Sequence, residues 1–534
     1  MKVVDFLLDS LVALGVNTIF GNPGTTEIPL VAACEQRDDV EYVVGLSEIS
    51  VVPMADGYAR AQCALSVVNL HVSPGLGNGM GALYTAGRVG TPMLVLVGGQ
   101  DSRFLHTDPV LWGPVEKMAG SVCKSVLTIR NTQDAAAIIR QALRLALSLP
   151  YAPVALICPP DLLEVHIESL PAVVVPPQLA CLSDSDALAY ATFLEAAKSP
   201  ALIVSEAVFW NGACAELEQL ADLLQAPIYI APYTGILPIS SASHCYAGYL
   251  PPNFGQIAER LKAHDSLLFV GATALRTTLY SDVRLTQASA WIGNSSDFYL
   301  NGDEYHIARV VDLRTAIPEI TAKLSTTVRL KQLAHYRPEV ALPQVGESNL
   351  HPTRLAYYLL SHFQHAIWVD ESGLSTSDIR QWMSLDAGDY IINGSGGIGW
   401  GLPAAVGVAI AKPERSVVAI IGDGSALYAS EAMWTAENRG VAILLVVLSN
   451  GRYATLNAAA NKLIGKPLSS FTVDSPRLDF SGLARLYGWE HVRIDHEEGL
   501  MAFIDKTGRA VTRNTVLEVI LDPEVTPVTA SRHF

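Results

Sequence analysis

At 534 residues the chain is too long for one hydrophobic core and suits about three domains of ordinary size. Its 52 acidic against 36 basic side chains give a net charge of −16, which argues against a nucleic-acid partner, since that would need a basic stripe, but leaves room for a small anionic substrate. The seven cysteines (34, 63, 123, 158, 181, 214 and 245) contain no Cys-x-x-Cys pair and read as small core residues in a reducing, cytoplasmic setting.

The chain opens on an amphipathic helix whose apolar face carries Val4, Leu7, Leu8, Leu11 and Leu14; with Asp5 and Asp9 so early, it is not expected to be a signal peptide. Strands are predicted at 18–20, 42–46, 65–70, 93–98 and 154–158 with helices between, the pattern of an open parallel sheet. Glu48 follows the second of these strands and precedes a helix containing Ala55-Asp56-Gly57-Tyr58-Ala59-Arg60. Alone, such a glutamate caps a helix or faces solvent. The proline-rich stretch 171–177 reads as a linker.

A second α/β section has predicted strands at 201–204, 228–230 and 266–270. Its Gly271-Ala272 turn lacks a Gly-x-Gly-x-x-Gly, so a Rossmann-like domain without a nucleotide is expected. Segment 336–352, with Pro338, Pro343, Gly346 and Ser348, reads as a second linker. A third section follows with strands at 367–370, 390–392, 417–421, 442–448 and 516–521, and resembles a remote copy of the first. The windows 61–87, 223–258 and 390–411 lack charge, but glycine and proline interrupt each, so no membrane span is assigned.

The sharpest motif lies in the third section. Strand 417–421 runs into Gly422-Asp423-Gly424-Ser425, where the glycines are expected to allow a tight turn; a helix at 430–438 and strand 442–448 then lead to Asn450-Gly451. Asp423 and Asn450, 27 residues apart, therefore meet at the carboxyl edge of a parallel sheet. There their hard oxygens suit a magnesium ion bridging to a diphosphate.

This arrangement resembles the thiamine-diphosphate-binding signature, with Ser449 where many members carry a first asparagine. Glu48 and the Ala-Asp-Gly-Tyr-Ala-Arg helix match a second family pattern. The similarity runs through Phe20-Gly21-Asn22-Pro23-Gly24-Thr25, Asn69-Leu70-His71, Gly75-Leu76-Gly77-Asn78-Gly79-Met80-Gly81-Ala82-Leu83 and Gly396-Gly397-Ile398-Gly399. Within the 2-oxo-acid decarboxylase and acetolactate synthase superfamily the chain is most similar to benzoylformate decarboxylases, and it has no His-His pair of the pyruvate decarboxylase kind.

The resemblance implies an α/β protein of three domains: a pyrimidine-binding (PYR) domain at 1–170, a Rossmann-like middle domain at 185–335 and a diphosphate-binding (PP) domain at 350–534. It implies thiamine diphosphate and Mg2+, the metal held by Asp423, Asn450 and the main-chain carbonyl of Arg452. Cofactor contacts would come from Gly396, Ile398 under the bend of the cofactor, Gly422, Asp423, Gly424, Ser425, Asn450 and Tyr453, with Glu48 on the aminopyrimidine. His71 and Thr25 would act with Glu48 in catalysis. The family's second active-site histidine is missing, and the region 275–279 offers Thr278 instead.

Collinear placement puts Thr25, His71, Leu111, Trp112, Thr455 and Ala459 around the substrate; His106 and Glu116 read as surface groups. The expected reaction is non-oxidative decarboxylation of an aryl or bulky 2-oxo acid to an aldehyde and carbon dioxide, through an ylide and an enamine. Such enzymes place their sites between subunits of a dimer, commonly paired into a homotetramer. The alternative is carboligation of the acetolactate synthase type, against which stand the absence of a glutamine in 73–80 and of a longer carboxyl-terminal cap. A non-catalytic scaffold is a third reading, opposed by the presence of Glu48, Asp423 and Asn450.

Overall fold

The computed structural model describes residues 1–168, 171–296, 298, 299, 304–325, 342 and 350–521. The second linker expected at 336–352 lies almost wholly outside the described residues. Segment 171–177 has no regular secondary structure.

Among the described residues the chain forms three six-stranded parallel sheets flanked by helices. The first contains β1 (Thr18–Gly21), β2 (Glu41–Val44), β3 (Ser66–Leu70), β4 (Met93–Gly98), β5 (Ser125–Thr128) and β6 (Pro153–Cys158), in the order β2-β1-β3-β4-β6-β5. The middle sheet contains β7 (Pro200–Val204), β8 (Ile228–Ile230), β9 (Tyr246–Tyr249), β10 (Ser266–Val270), β11 (Ala288–Gly293) and β12 (Tyr305–Val310), ordered β12-β11-β10-β7-β8-β9. The third contains β13 (Ile367–Glu371), β14 (Tyr390–Ile392), β15 (Val417–Gly422), β16 (Ile443–Ser449), β17 (Glu490–Ile494) and β18 (Thr515–Ile520), ordered β14-β13-β15-β16-β18-β17. Shifting each label of the first sheet by twelve reproduces the third, so the two are one topology used twice.

Central strands such as β3, β4 and β16 are buried along their whole length, as uninterrupted apolar runs in a doubly covered sheet must be. The crossover helix expected at 430–438 forms at Ala432–Asn438.

The first and third sections pack through two helices, Glu48–Gln62 and Gly401–Ala411. Their backbones touch: a Cβ on Gly57 would stand 2.2 Å from the Ala404 carbonyl oxygen, and one on Gly407 would stand 1.9 Å from that of Met54. Arg60 completes the joint. Its guanidinium pairs with the buried Asp56 carboxylate, donates to the carbonyls of Gly235 (3.1 Å) and Ile392 (2.8 Å), and lies 4.5 Å from the Trp400 ring centre. Asp56 in turn accepts from Thr91 Oγ1 at 2.6 Å and Trp400 Nε1 at 2.7 Å. One side chain thus touches all three sections, and the buried charge is tolerated because every partner is in place.

Candidate active site

A cavity of about 620 Å³ opens at the carboxyl ends of β13, β15 and β16, the edge where ligands enter such sheets. Asp423 is a buried carboxylate in its lining. Its Oδ1 accepts the Gly424 N–H at 2.8 Å, and Oδ2 accepts those of Asn450 (3.0 Å) and Gly451 (2.8 Å). Burial raises its pKa and these three donors oppose the rise. Asn450 Oδ1 accepts the Arg452 N–H at 3.1 Å, and the Arg452 carbonyl accepts from Ala454 at 3.0 Å. Asp423, Asn450 and Arg452 all line the cavity, and together they offer one carboxylate and two carbonyl oxygens. That donor set suits a hard dication that keeps phosphate and water in its remaining positions, so the residues fit the magnesium the family resemblance implies.

The glycines of this motif act differently from expectation. Gly422 and Gly424 have ordinary negative φ, and residues Asp423–Ala426 form a helical turn. Gly424 is required for space, since a Cβ there would stand 2.6 Å from the Tyr453 ring. The residue that needs left-handed backbone is Gly451, at φ +68°. Gly396, Ile398, Gly422, Ser425, Tyr453 and Thr455 also line the cavity; Ala459 does not. Thr278 reaches its wall from the middle section, and its hydroxyl donates to the Pro252 carbonyl at 3.2 Å.

Glu48, His71, Thr25, Leu111 and Trp112 do not line this cavity within the chain. Glu48 and His71 gather at the carboxyl edge of the first sheet. Glu48 is buried at the start of its helix and accepts from Asn78 Nδ2 at 3.2 Å. A Cβ on Gly75 would crowd its Oε1 at 2.7 Å. His71, at the end of β3, lies over the turn at Gly24, where a Cβ would stand 2.2 Å from Nδ1.

A residue the sequence reading passed over sits beneath it. Buried Glu27 places Oε2 2.7 Å from His71 Nδ1 and 2.8 Å from the Gly24 N–H, while Oε1 accepts from Thr26 Oγ1 at 2.6 Å. The hydroxyl nearest His71 is that of Thr26, at 3.2 Å, whereas Thr25 is exposed. The available signal was a glutamate three residues after Gly24, the spacing at which a carboxylate returns to cap the turn. Leu111, at φ +64°, and Trp112 are exposed on a loop.

Two parallel-sheet sections that each offer a carboxylate-bearing ligand edge, joined by a third of Rossmann-like form, define a class of coenzyme-dependent enzyme. The thiamine pyrophosphate enzyme N-terminal TPP binding domain matches residues 1–119, and the corresponding C-terminal TPP binding domain matches residues 364–519. A benzoylformate decarboxylase of Pseudomonas aeruginosa is 31% identical over 95% of this chain and 96% of its own. An acetolactate synthase of Arthrospira platensis is 24% identical, covering 91% of this chain and 89% of its own. The solved thiamine diphosphate-dependent 4-hydroxybenzoylformate decarboxylase of Rhodococcus jostii superposes with a TM-score of 0.90 at 28% identity, over 98% of this chain and 99% of that one. The chain belongs to the thiamine-diphosphate-dependent enzymes. No helix among the described residues is long and apolar enough to cross a membrane, and all seven cysteines are unpaired.

Proposed function

We propose that the protein decarboxylates a 2-oxo acid with an aryl or bulky side chain to an aldehyde and carbon dioxide, as a homotetrameric cytoplasmic enzyme. Its PYR (1–170), middle (185–335) and PP (350–534) domains would each keep the family role. The observation that carries this reading is the division of labour between the two sheet edges. One holds the oxygen donors Asp423 and Asn450; the other holds Glu48 and a carboxylate-bound histidine, Glu27–His71. Brought together across a dimer, they would enclose one coenzyme.

Bound thiamine diphosphate supplies a carbon nucleophile and an electron sink. The chain supplies the rest. Asp423, Asn450 and the Arg452 carbonyl would hold Mg2+ against the diphosphate, with Gly422, Gly424, Ser425 and Tyr453 shaping the cradle. Glu48 would exchange a proton with N1′ of the aminopyrimidine, and Ile398, beside Gly396, would sit under the bend of the coenzyme. His71, with Nδ1 held by Glu27, presents Nε2 for placing and removing the substrate proton. Thr25 would receive the substrate carboxylate, and Leu111, Trp112 and Thr455 would complete the pocket, with Ala459, outside the cavity of the single chain, reaching it only in the assembled dimer.

The similarity to acetolactate synthases supports a second reading, carboligation to a hydroxyketone. Incubation with thiamine diphosphate, Mg2+ and a panel of 2-oxo acids, following carbon dioxide, aldehyde and hydroxyketone together, separates the two. Aldehyde as main product supports decarboxylation; hydroxyketone from pyruvate replaces it with carboligation. No turnover of any acid defeats both.

A further inference from the structure

Glu371 ends β13 and lines the cavity, and none of the roles above uses it. Its two oxygens are taken by two backbone donors that bracket Trp400: the Gly399 N–H reaches Oε1 at 2.6 Å, and the Gly401 N–H reaches Oε2. The Ser425 hydroxyl, in the diphosphate cradle, is a third partner. The local backbone is shaped around this carboxylate. Gly399 sits at φ +91°, which favours glycine, and a Cβ on it would strike the Tyr428 ring at 2.1 Å. A Cβ on Gly401 would lie 2.9 Å from both Cβ and Oε2 of Glu371.

Ile398, immediately before Gly399, is 46% exposed and lines the same cavity. The loop that carries it is pinned at both ends. On the near side Asn393 Oδ1 accepts the N–H groups of Ser395 (3.1 Å) and Gly396 (3.2 Å), and Nδ2 donates to the Gly397 carbonyl. On the far side the fastening is the Glu371 carboxylate. Burial pushes its carboxyl up to about 7 against the pull of these donors, so the group is costly to keep there and is retained by a full set of partners.

We propose that Glu371 is a positioning residue for the bound coenzyme: it sets Ile398 at a fixed height above the diphosphate cradle and so imposes the bend. This rests on thiamine diphosphate being the coenzyme held in this cavity. A glutamine of the same size accepts through one oxygen only and turns an NH2 toward the other backbone N–H, so it loosens the loop without emptying the space.

The test is to titrate wild type, Glu371→Gln and Glu371→Asp with two probes, thiamine diphosphate plus Mg2+ and inorganic pyrophosphate plus Mg2+, by calorimetry, and to measure kcat and KM. Glu371→Gln is expected to bind magnesium pyrophosphate within about twofold of wild type, to bind thiamine diphosphate about tenfold more weakly, and to lose kcat more than it raises KM. Glu371→Asp, too short to reach both donors at once, is expected to lie between the two. Equal thiamine diphosphate affinity in wild type and Glu371→Gln overturns the proposal, as does a parallel loss for both probes. If Glu371→Gln does not fold, the same comparison on Glu371→Asp decides. Wild type that binds pyrophosphate but not thiamine diphosphate overturns the reading beneath it instead.

Discussion

Glu27 and His71 meet at 2.7 Å, carboxylate oxygen to Nδ1, and the same oxygen accepts the Gly24 N–H at 2.8 Å. With Nδ1 carrying the shared proton, Nε2 is the ring atom free to act, a tautomer assigned from this geometry. Glu27→Gln keeps the shape but can present its NH2 to Nδ1 and so favour the other tautomer. We expect kcat to fall about ten- to hundredfold with the fold intact, and His71→Ala to cost about 10²–10⁴. Steady-state kinetics with circular dichroism of each variant checks both.

Glu48 and Asp423 belong to different clusters in one chain. Glu48→Gln is expected to abolish turnover while leaving magnesium-diphosphate binding nearly intact; near-normal turnover would remove Glu48 from its assigned role. If each site takes Glu48 from one subunit and Asp423 from its neighbour, Glu48→Gln chains mixed with Asp423→Asn chains should recover about a quarter of wild-type activity after subunit exchange. No recovery in demonstrably mixed oligomers would place both groups in one subunit's site.

Asp378 is fully buried, its Oδ1 accepts from Thr353 Oγ1 at 2.6 Å, and its Oδ2 has no hydrogen-bond partner among the described residues. Burial raises its carboxyl from 3.8 to about 6. A raised folded pKa means that this group's contribution to stability is fully present below about pH 4 and is lost as pH rises through 6. Asp378→Asn should therefore be more stable than wild type at pH 8, by up to about 3 kcal/mol, with the advantage shrinking toward pH 4. Denaturant melts across pH 4–8 would show the two curves converging at the acid end; parallel curves would refute the assignment.

Gly407→Ala inserts a Cβ at 1.9 Å from the Met54 carbonyl oxygen. The two helices must separate to admit it, at a cost of about 3 kcal/mol. Chemical denaturation checks this, with Gly440→Ala, whose Cβ meets nothing within 4 Å but whose φ is +62°, isolating backbone strain from crowding.

Much of the architecture could be read from apolar runs. The expected strands all formed, within a residue or two, because strands such as β4, β15 and β16 are buried on both faces and bounded by turns. Four of the five strands not expected share a cause. β5, β9, β12 and β17 lie at sheet edges, where one side is unpaired and sequences such as Glu490-His491-Val492-Arg493-Ile494 carry charge. β11, an inner strand, was also missed. Asp423 and Asn450 were legible because chain spacing alone brings two successive strand ends together. Glu371 was not, because it depends on a glycine distant in sequence, Gly401, that leaves room for its carboxylate; Glu27 showed only its spacing from Gly24, while the room for it comes from distant Gly98.

The grip of Arg60 on Asp56, Gly235 and Ile392 has a bearing on how the molecule comes apart. Sheets clasped by one buried cation cannot melt in turn without stranding it, so calorimetry should record a single peak. A chimera that borrows any one section from a cousin must keep Arg60 and Asp56 and the backbone path that aims those two carbonyls, or arrive already loosened.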